Sequence, residues 1–370
     1  MAKKKLLIYG AGAIGRGYLP WVFTPDKYEY YYVEKNPVIQ KRLQQQKMFK
    51  SFMTKNGKYE VLKIPILECF EPGGEQGVVN TIDAILVAVG PRNFMSLQSV
   101  FDKTCAPIIC FENDSTLPGL MKAATGNENI VFAIPDVITS NSAPKKLLKN
   151  DPLSIVTEDG VSFIDKKVQS VGGECNYVSE KELRKQWLAK LYIHNTPHCV
   201  TAYFGSLLGA NYVHEAMKDK RVARIVRGIM GEMEQMLLRR YKLKAEFLQY
   251  YSKKELSRFS NELLYDPISR VAREPFRKLA PNERLIGAAG LCISSGFVPE
   301  NLLLGLMAAF CFENEQDPDF HIKHLMKALS PEQFLSIIIR LRPNEALYSM
   351  LIERWDKNIK LIDRIRDEKK

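Results

Sequence analysis

A glycine turn placed directly behind a short apolar strand constrains this chain more than anything else in it. Leu6-Leu7-Ile8-Tyr9 reads as a buried strand, and Gly10-Ala11-Gly12-Ala13-Ile14-Gly15 follows at once and opens a helical stretch. Glycines at this spacing let the chain turn tightly, admit a phosphate close to the backbone amides and seat the next helix on the strand. The start of that helix offers unpaired N–H groups and a positive dipole end to an anion. A second strand, Tyr30-Tyr31-Tyr32-Val33, ends at Glu34, an acid placed to hydrogen-bond both ribose hydroxyls of a dinucleotide. A carboxylate there repels a 2′-phosphate, so the pattern favours NAD over NADP, with Lys35 pulling slightly the other way. Gly10, Gly12, Ala13, Ile14, Gly15 and Glu34 are therefore the expected cofactor-binding residues; the plainer alternative is a tight turn beside a surface glutamate.

The runs that follow extend the same pattern. Ala84 to Val89, Pro107 to Phe111 and Ile130 to Ile134 are apolar on both faces, which suits central parallel strands covered by helices. Strand and helix in alternation predict an α/β fold, a Rossmann-type doubly wound sheet. A polar, turn-rich stretch from Thr139 to Asn150 precedes two more expected strands, Leu153–Thr157 and Val161–Ile164. Beyond Val178 helical periodicity takes over, with turns such as Asp266-Pro267 and Asp317-Pro318 between the runs. The expected organisation is thus an NAD-binding domain at 1–178 and a mainly α-helical C-terminal domain, substrate-binding and catalytic, at 179–370.

Composition excludes several other classes. At 46% hydrophobic and 26% charged residues, the 370-residue chain has ample apolar surface for two cores. The net charge of +11 would suit an anionic partner, yet no arginine-rich tract or RNA-binding aromatic motif accompanies it, so no nucleic-acid partner is expected. Seven scattered cysteines without a CxxC pair, and no signal-peptide core behind Lys3-Lys4-Lys5, read as a cytoplasmic protein. The most apolar stretch, Leu285 to Phe312, is broken by Ser294-Ser295-Gly296 and by Pro299, so no membrane span is expected. His321 and His324 stand without a cysteine or carboxylate array, so no metal site is expected either. The oligomeric state is left between a monomer and a small homo-oligomer.

A second polar cluster carries the chemistry. Within Lys190-Leu191-Tyr192-Ile193-His194-Asn195-Thr196-Pro197-His198, an ideal helix at about 100° per residue puts Lys190, Asn195 and His198 within roughly 140° of arc. Pro197 must distort that helix, either by kinking it or by restarting it with Thr196 as N-cap. Oxidising a secondary alcohol needs a base for the hydroxyl proton and donors for the developing alkoxide. A desolvated lysine can be the base, Asn195 a donor and His198 the group that orients a neighbouring hydroxyl. The plain alternative is an exposed helix lysine.

Lys190-x4-Asn195-x2-His198 resembles the signature of the polyol-specific long-chain dehydrogenases. Asp266-Pro267-Ile268-Ser269-Arg270-Val271-Ala272-Arg273-Glu274-Pro275-Phe276-Arg277-Lys278-Leu279, Glu283-Arg284-Leu285-Ile286 and Ala202-Tyr203-Phe204-Gly205 look like its mannitol-1-phosphate 5-dehydrogenase branch, as do Gly10 to Gly17, Phe111-Glu112-Asn113 and Asp151-Pro152-Leu153. The resemblance implies a Rossmann domain followed by a helical one. It also implies Lys190 as base, Asn195 and Asn113 as donors to the substrate oxygen, and His198 in contact with substrate. Asp136, Arg270 and Lys278 become substrate residues, and Arg273 or Arg277 could join them on a phosphate. The implied reaction interconverts mannitol 1-phosphate and fructose 6-phosphate with NAD and without metal. Alternatives are a dehydrogenase of an unphosphorylated polyol or hexuronate, or a non-catalytic NAD-binding sensor. Two departures stand out. The family pattern Val-Asp-Arg-Ile is Pro135-Asp136-Val137-Ile138 here, and the glycine common before the signature histidine is Pro197.

Overall fold

The apolar runs of the first half pair into one sheet because both of their faces must be kept from water. The strands, in a computed structural model that describes residues 2–140 and 143–368, are β1 (Lys4–Tyr9), β2 (Tyr28–Val33), β3 (Met48–Lys55), β4 (Lys58–Pro65), β5 (Glu68–Phe70) and β6 (Ala84–Val87). They continue with β7 (Ile108–Cys110), β8 (Ile130–Asp136), β9 (Thr139–Ser140), β10 (Ile155–Glu158), β11 (Val161–Asp165) and β12 (Asn176–Val178). The parts of the sequence readings that touch Met1, Asn141, Ser142, Lys369 and Lys370 lie outside the described residues.

Eight strands form the main sheet in the order β12-β11-β8-β7-β6-β1-β2-β5. From β5 through β8 every pairing is parallel, and only β11 joins antiparallel, against β8. Alternate residues feed two cores. Leu6, Ile8, Leu86 and Ile109 pack on one face, while Leu7, Tyr9, Ile85 and Ile108 pack on the other. Strand order reverses between β1 and β6, the place where open α/β sheets leave a crevice at their carboxyl ends.

The chain divides into two units, one comprising Met1–Trp187 with Leu263–Tyr265 and the other Leu188–Glu262 with Asp266–Lys370. The first unit contains a feature absent from the sequence reading, a second sheet ordered β4-β3-β10-β9. Its hairpin β3–β4 turns at Asn56-Gly57, whose φ angles of 49° and 73° are those of a two-residue primed turn. The stretch expected to be polar loop contributes β9 and a short helix, Lys145–Asn150, to this part of the fold.

Every regular element named in the second unit is a helix. Its centre is the helix Thr196–Leu207, in which every residue from Thr196 to Gly205 is buried. Two glycines let neighbours close on it. A Cβ on Gly205 would stand 2.6 Å from Ile268, and one on Gly305 would stand 2.9 Å from Val200. The 22-residue helix Lys220–Tyr241 is capped by the Asp219 carboxylate and buries Val222, Val226, Ile229, Met233 and Leu237 along one stripe. No helix among the described residues is long and apolar enough to cross a membrane. Of the cysteines, Cys105 is exposed and Cys175 half-buried, and the other five are buried thiols.

Candidate active site

In the first unit the glycine turn is built by backbone contacts that exclude side chains. Gly10 sits at φ +91°, and a Cβ there would lie 2.5 Å from the Ala88 carbonyl at the end of β6. A Cβ on Gly15 would lie 1.8 Å from the Gly10 carbonyl. Gly12 is different: a Cβ there meets nothing within 4 Å, so its side of the turn is open. Ala13 and Ile14 begin a π-helical turn, Ala13–Tyr18, that leads into a short helix containing Pro20.

Three side chains lock this turn. Tyr32 donates to the Gly15 carbonyl at 3.1 Å. Buried Arg16 donates through Nε to the Ala11 carbonyl at 3.1 Å and through a terminal nitrogen to the Leu153 carbonyl. Glu34, also buried, accepts from the backbone N–H groups of Ala11 and Asn36, both at 2.8 Å. Each Glu34 oxygen therefore keeps a lone pair beyond its backbone bond. A cavity of about 650 Å³ opens beside these groups, lined by Gly10, Gly12, Glu34, Lys35, Ala88 and Asn93 among others. Lys35 is tethered there to Asn93 Oδ1 at 2.8 Å.

The remaining first-unit candidates differ in setting. Asn113 is exposed just past β7, whereas Asp136, the last residue of β8, is buried and engaged. Between them in importance stands Glu112, which the sequence reading did not single out. Burial raises its pKa to about 7, although the N–H groups of Gly90 and Val89 donate to its carboxylate and lower it. Those amides follow β6, so Glu112 fixes the loop at the crevice edge.

In the second unit Lys190 to Asn195 form a π-helical turn that runs straight into Thr196–Leu207. The reading at about 100° per residue is thus corrected, and so is the idea of a Thr196-capped restart, since Asn195 and Thr196 both keep helical φ/ψ. The reason is Pro197. It has no N–H for the carbonyl four residues back and its ring crowds that carbonyl, which a widened turn avoids. Lys190, Asn195 and His198 are all buried. Asn195 Nδ2 has no hydrogen-bond partner among the described residues. A buried amide donor left open in this way matches a ligand oxygen.

Two Arg–carboxylate–His chains meet beside it. Asp266 takes Arg270 on one oxygen and His198 Nε2, at 2.9 Å, on the other. Burial alone would raise the Asp266 pKa, but Arg270 and His198 outweigh it and hold it at about 2. His198 is kept neutral, because desolvation lowers its pKa more than Asp266 raises it. Its Nε2–H then donates to Asp266 and its Nδ1 is left as an acceptor. Likewise His194 Nδ1 donates to Glu255, which also takes Arg258. Burial pushes the His194 pKa down to about 4 against the pull of Glu255. The two imidazole rings lie 4.8 Å apart, and Phe259 stacks on His198 at 4.9 Å.

The two basic residues expected on substrate are both engaged within the protein. Arg270 is bound to Asp266, and Lys278 Nζ donates to the carbonyls of Val271 and Arg273 below the Tyr203 ring. Burial first, and then Arg284, Arg277 and Arg273, bring the Lys278 pKa down to about 7. Glu255 and Arg258 escaped the sequence reading because an i, i+3 pair after Lys253-Lys254 looks like a solvated face.

The family model for the mannitol dehydrogenase C-terminal domain matches residues 183–328. The chain is 27% identical to a mannitol-1-phosphate 5-dehydrogenase of Thermoanaerobacter pseudethanolicus, over 95% of this chain and 97% of that one. It is 25% identical to the mannitol-1-phosphate 5-dehydrogenase of Clostridium acetobutylicum, over 95% and 98%. Among solved structures it is similar to Pseudomonas fluorescens mannitol 2-dehydrogenase in a ternary complex with NAD and D-mannitol. That likeness has a TM-score of 0.76 at 14% identity, over 98% of this chain and 94% of that one, and speaks to the fold. With the glycine turn, the Rossmann-type sheet and the lysine–asparagine–histidine segment in place, residues 183–328 match the mannitol dehydrogenase C-terminal domain, and the chain is similar over nearly its whole length to mannitol-1-phosphate 5-dehydrogenases.

Proposed function

We propose that this protein is an NAD-dependent dehydrogenase that interconverts mannitol 1-phosphate and fructose 6-phosphate without a metal ion. The observation that carries the chemistry is the buried, unpartnered amide of Asn195 on the same π turn as buried Lys190. The dinucleotide fits the first unit: the open face of Gly12, the free lone pairs of Glu34 and the cavity beside them suit a pyrophosphate and an adenosine. When bound, it supplies the two-electron acceptor for the alcohol.

The chain's own groups do the rest. Lys190 accepts the hydroxyl proton, and the Asn195 amide donates to the oxygen as its charge develops. Asn113 is the second donor. His198, neutral and held by Asp266, offers Nδ1 to an adjoining substrate hydroxyl and so fixes the sugar's orientation. Arg270 acts through Asp266, Lys278 stiffens the wall that carries His198, and Asp136 is a proposed substrate residue.

The engagement of Arg270 and Lys278 favours a second reading, in which the substrate is an unphosphorylated polyol or a hexuronate. Following NADH absorbance with fructose 6-phosphate, fructose and tagaturonate separates the two. Faster turnover of fructose 6-phosphate supports the proposal, and preference for either of the others overturns its phosphate. If the dinucleotide binds but no ketose consumes NADH, the sensor reading replaces both. Lys190→Ala is expected to cut kcat by about 10²–10⁴-fold while NAD affinity holds; near-normal turnover in that variant removes Lys190 as the base.

A further inference from the structure

Between Asp266 and Arg284 the chain sets five cations along the wall that packs on the helix Thr196–Leu207, and four of them are engaged. Asp266 holds Arg270, Glu274 holds Arg277 at 2.9 Å, Glu283 holds Arg284 at 3.2 Å, and two carbonyls hold Lys278. Arg273 is the exception. The residue is exposed as a whole, and its guanidinium, though partly desolvated, has no hydrogen-bond or ion-pair partner among the described residues.

The backbone at this position is as constrained as the side chain is free. Glu274 adopts φ 56°, a left-handed conformation that costs a non-glycine residue energy and persists only where its surroundings enforce it. Asp317 enforces it by accepting the Glu274 N–H at 3.0 Å, and Lys278 holds the Arg273 carbonyl from the other side. Asp319 secures the next turn through the Phe276 N–H at 3.1 Å. The kink is braced on both flanks and leaves one guanidinium without a hydrogen-bond partner among the described residues.

Electrostatics give that guanidinium a reason to seek an anion. Desolvation lowers its pKa, Glu274 restores part of it, and the like charges of Arg270 and Arg277 lower it again. A dianionic phosphate would relieve that repulsion and accept paired N–H bonds in the fork geometry arginine presents.

We propose that Arg273 binds the phosphate group of the substrate and sets the preference for phosphorylated over free sugars. This rests on the dehydrogenase reading above and removes the objection that Arg270 and Lys278 are engaged. Arg273 lies within electrostatic reach of Arg270, which Asp266 links to His198, so a phosphate on Arg273 is placed on the same wall as the group proposed to hold the sugar hydroxyl.

The test compares the wild-type protein with Arg273→Ala and Arg273→Lys. It measures KM and kcat for fructose 6-phosphate and for fructose, KM for NADH, and inhibition by inorganic phosphate. Arg273→Ala should raise KM for fructose 6-phosphate by about 10–100-fold, the size of a charge-assisted pair of bonds. It should leave kcat within about threefold, KM for NADH unchanged and phosphate inhibition abolished, with partial rescue by lysine. An unchanged KM, an equal loss with fructose, or a loss that falls on NADH instead would overturn the proposal. The last outcome would assign Arg273 to the dinucleotide. If the wild type turns over no phosphorylated ketose, the substrate reading fails by itself. Calorimetry with inorganic phosphate then decides the residue: binding lost in Arg273→Ala retains Arg273 as an anion site, and equal binding removes it.

Discussion

The glycine turn after β1 and the lysine turn that opens the helical unit bend the chain in the same way and then diverge. Each is a π turn, Ala13–Tyr18 and Lys190–Asn195, and each ends shortly before a proline, Pro20 and Pro197. A widened turn tolerates the missing N–H in both. The first is filled by backbone: glycines at Gly10 and Gly15 admit carbonyl contacts, and Glu34 binds main-chain amides. The second is filled by side chains, with Lys190, His194 and Asn195 buried and each histidine backed by a carboxylate and an arginine. A phosphate can be cradled by amides that every residue carries. Moving a proton requires particular side chains out of water, and each charge that comes with them must be matched.

If that contrast is right, the helical turn depends on its remote partners far more than the glycine turn does. Glu255→Gln should show the largest effect, because it leaves Arg258 buried without its counter-charge. We expect a loss of about 3–5 kcal/mol in denaturant unfolding; a loss below about 1 kcal/mol would mean the relay is incidental. Next come the two glycines of the first turn, which should separate folding from binding. Gly15→Ala forces a Cβ onto the Gly10 carbonyl and should destabilise the unit, whereas Gly12→Ala meets open space and should leave stability within about 0.5 kcal/mol. Gly12→Ala should still weaken NAD by about tenfold or more, read by fluorescence titration. Equal behaviour of the two variants would break the backbone-built picture.

The smallest effect is on acid stability, where the two regions oppose each other. His194 is held near 4 against an ordinary 6.5, so the unfolded chain binds more protons between those values and stability falls as pH drops through them. Glu112, near 7 against 4.5, binds its proton earlier when folded, so its contribution rises as pH drops from 7 toward 4.5. The two partly cancel. Glu112→Gln should therefore steepen the loss of stability between pH 7 and 5, and an unchanged slope would show that Glu112 titrates normally.

How much of this could be read from the sequence follows the same division. β1, β6, β7 and β8 were legible because strands covered on both faces must be apolar without interruption. β3 and β4 were not, since β4 is largely exposed and carries Lys58, Glu60 and Lys63, which dissolve the apolar pattern. The turn residues Asn56-Gly57 were the available sign. At the site, Lys190, Asn195 and His198 stood out mainly through the family resemblance that their spacing carries, and Pro197 by its chemistry. Their partners did not, because Glu255 lies 61 residues from His194 and Asp266 lies 68 from His198. Local pattern cannot report contacts made at that range. The engagement of Arg270 and Lys278 was hidden for the same reason, as charge in a sequence says nothing of which carbonyl or carboxylate will consume it.

A π turn is an α-helix that has gained one residue, and that makes the segment unusually exposed to a change in length. Removing a single residue between Lys190 and Asn195 would restore ordinary helical winding and turn everything beyond it by about 100°. His198 would swing away from Asp266, Thr196 from the Arg284 carbonyl, and Gly205 from Ile268. A substitution in this stretch alters one side chain, whereas a one-codon deletion would re-index an entire buried helix. Drift in the gene can change the letters here more readily than it can change their number.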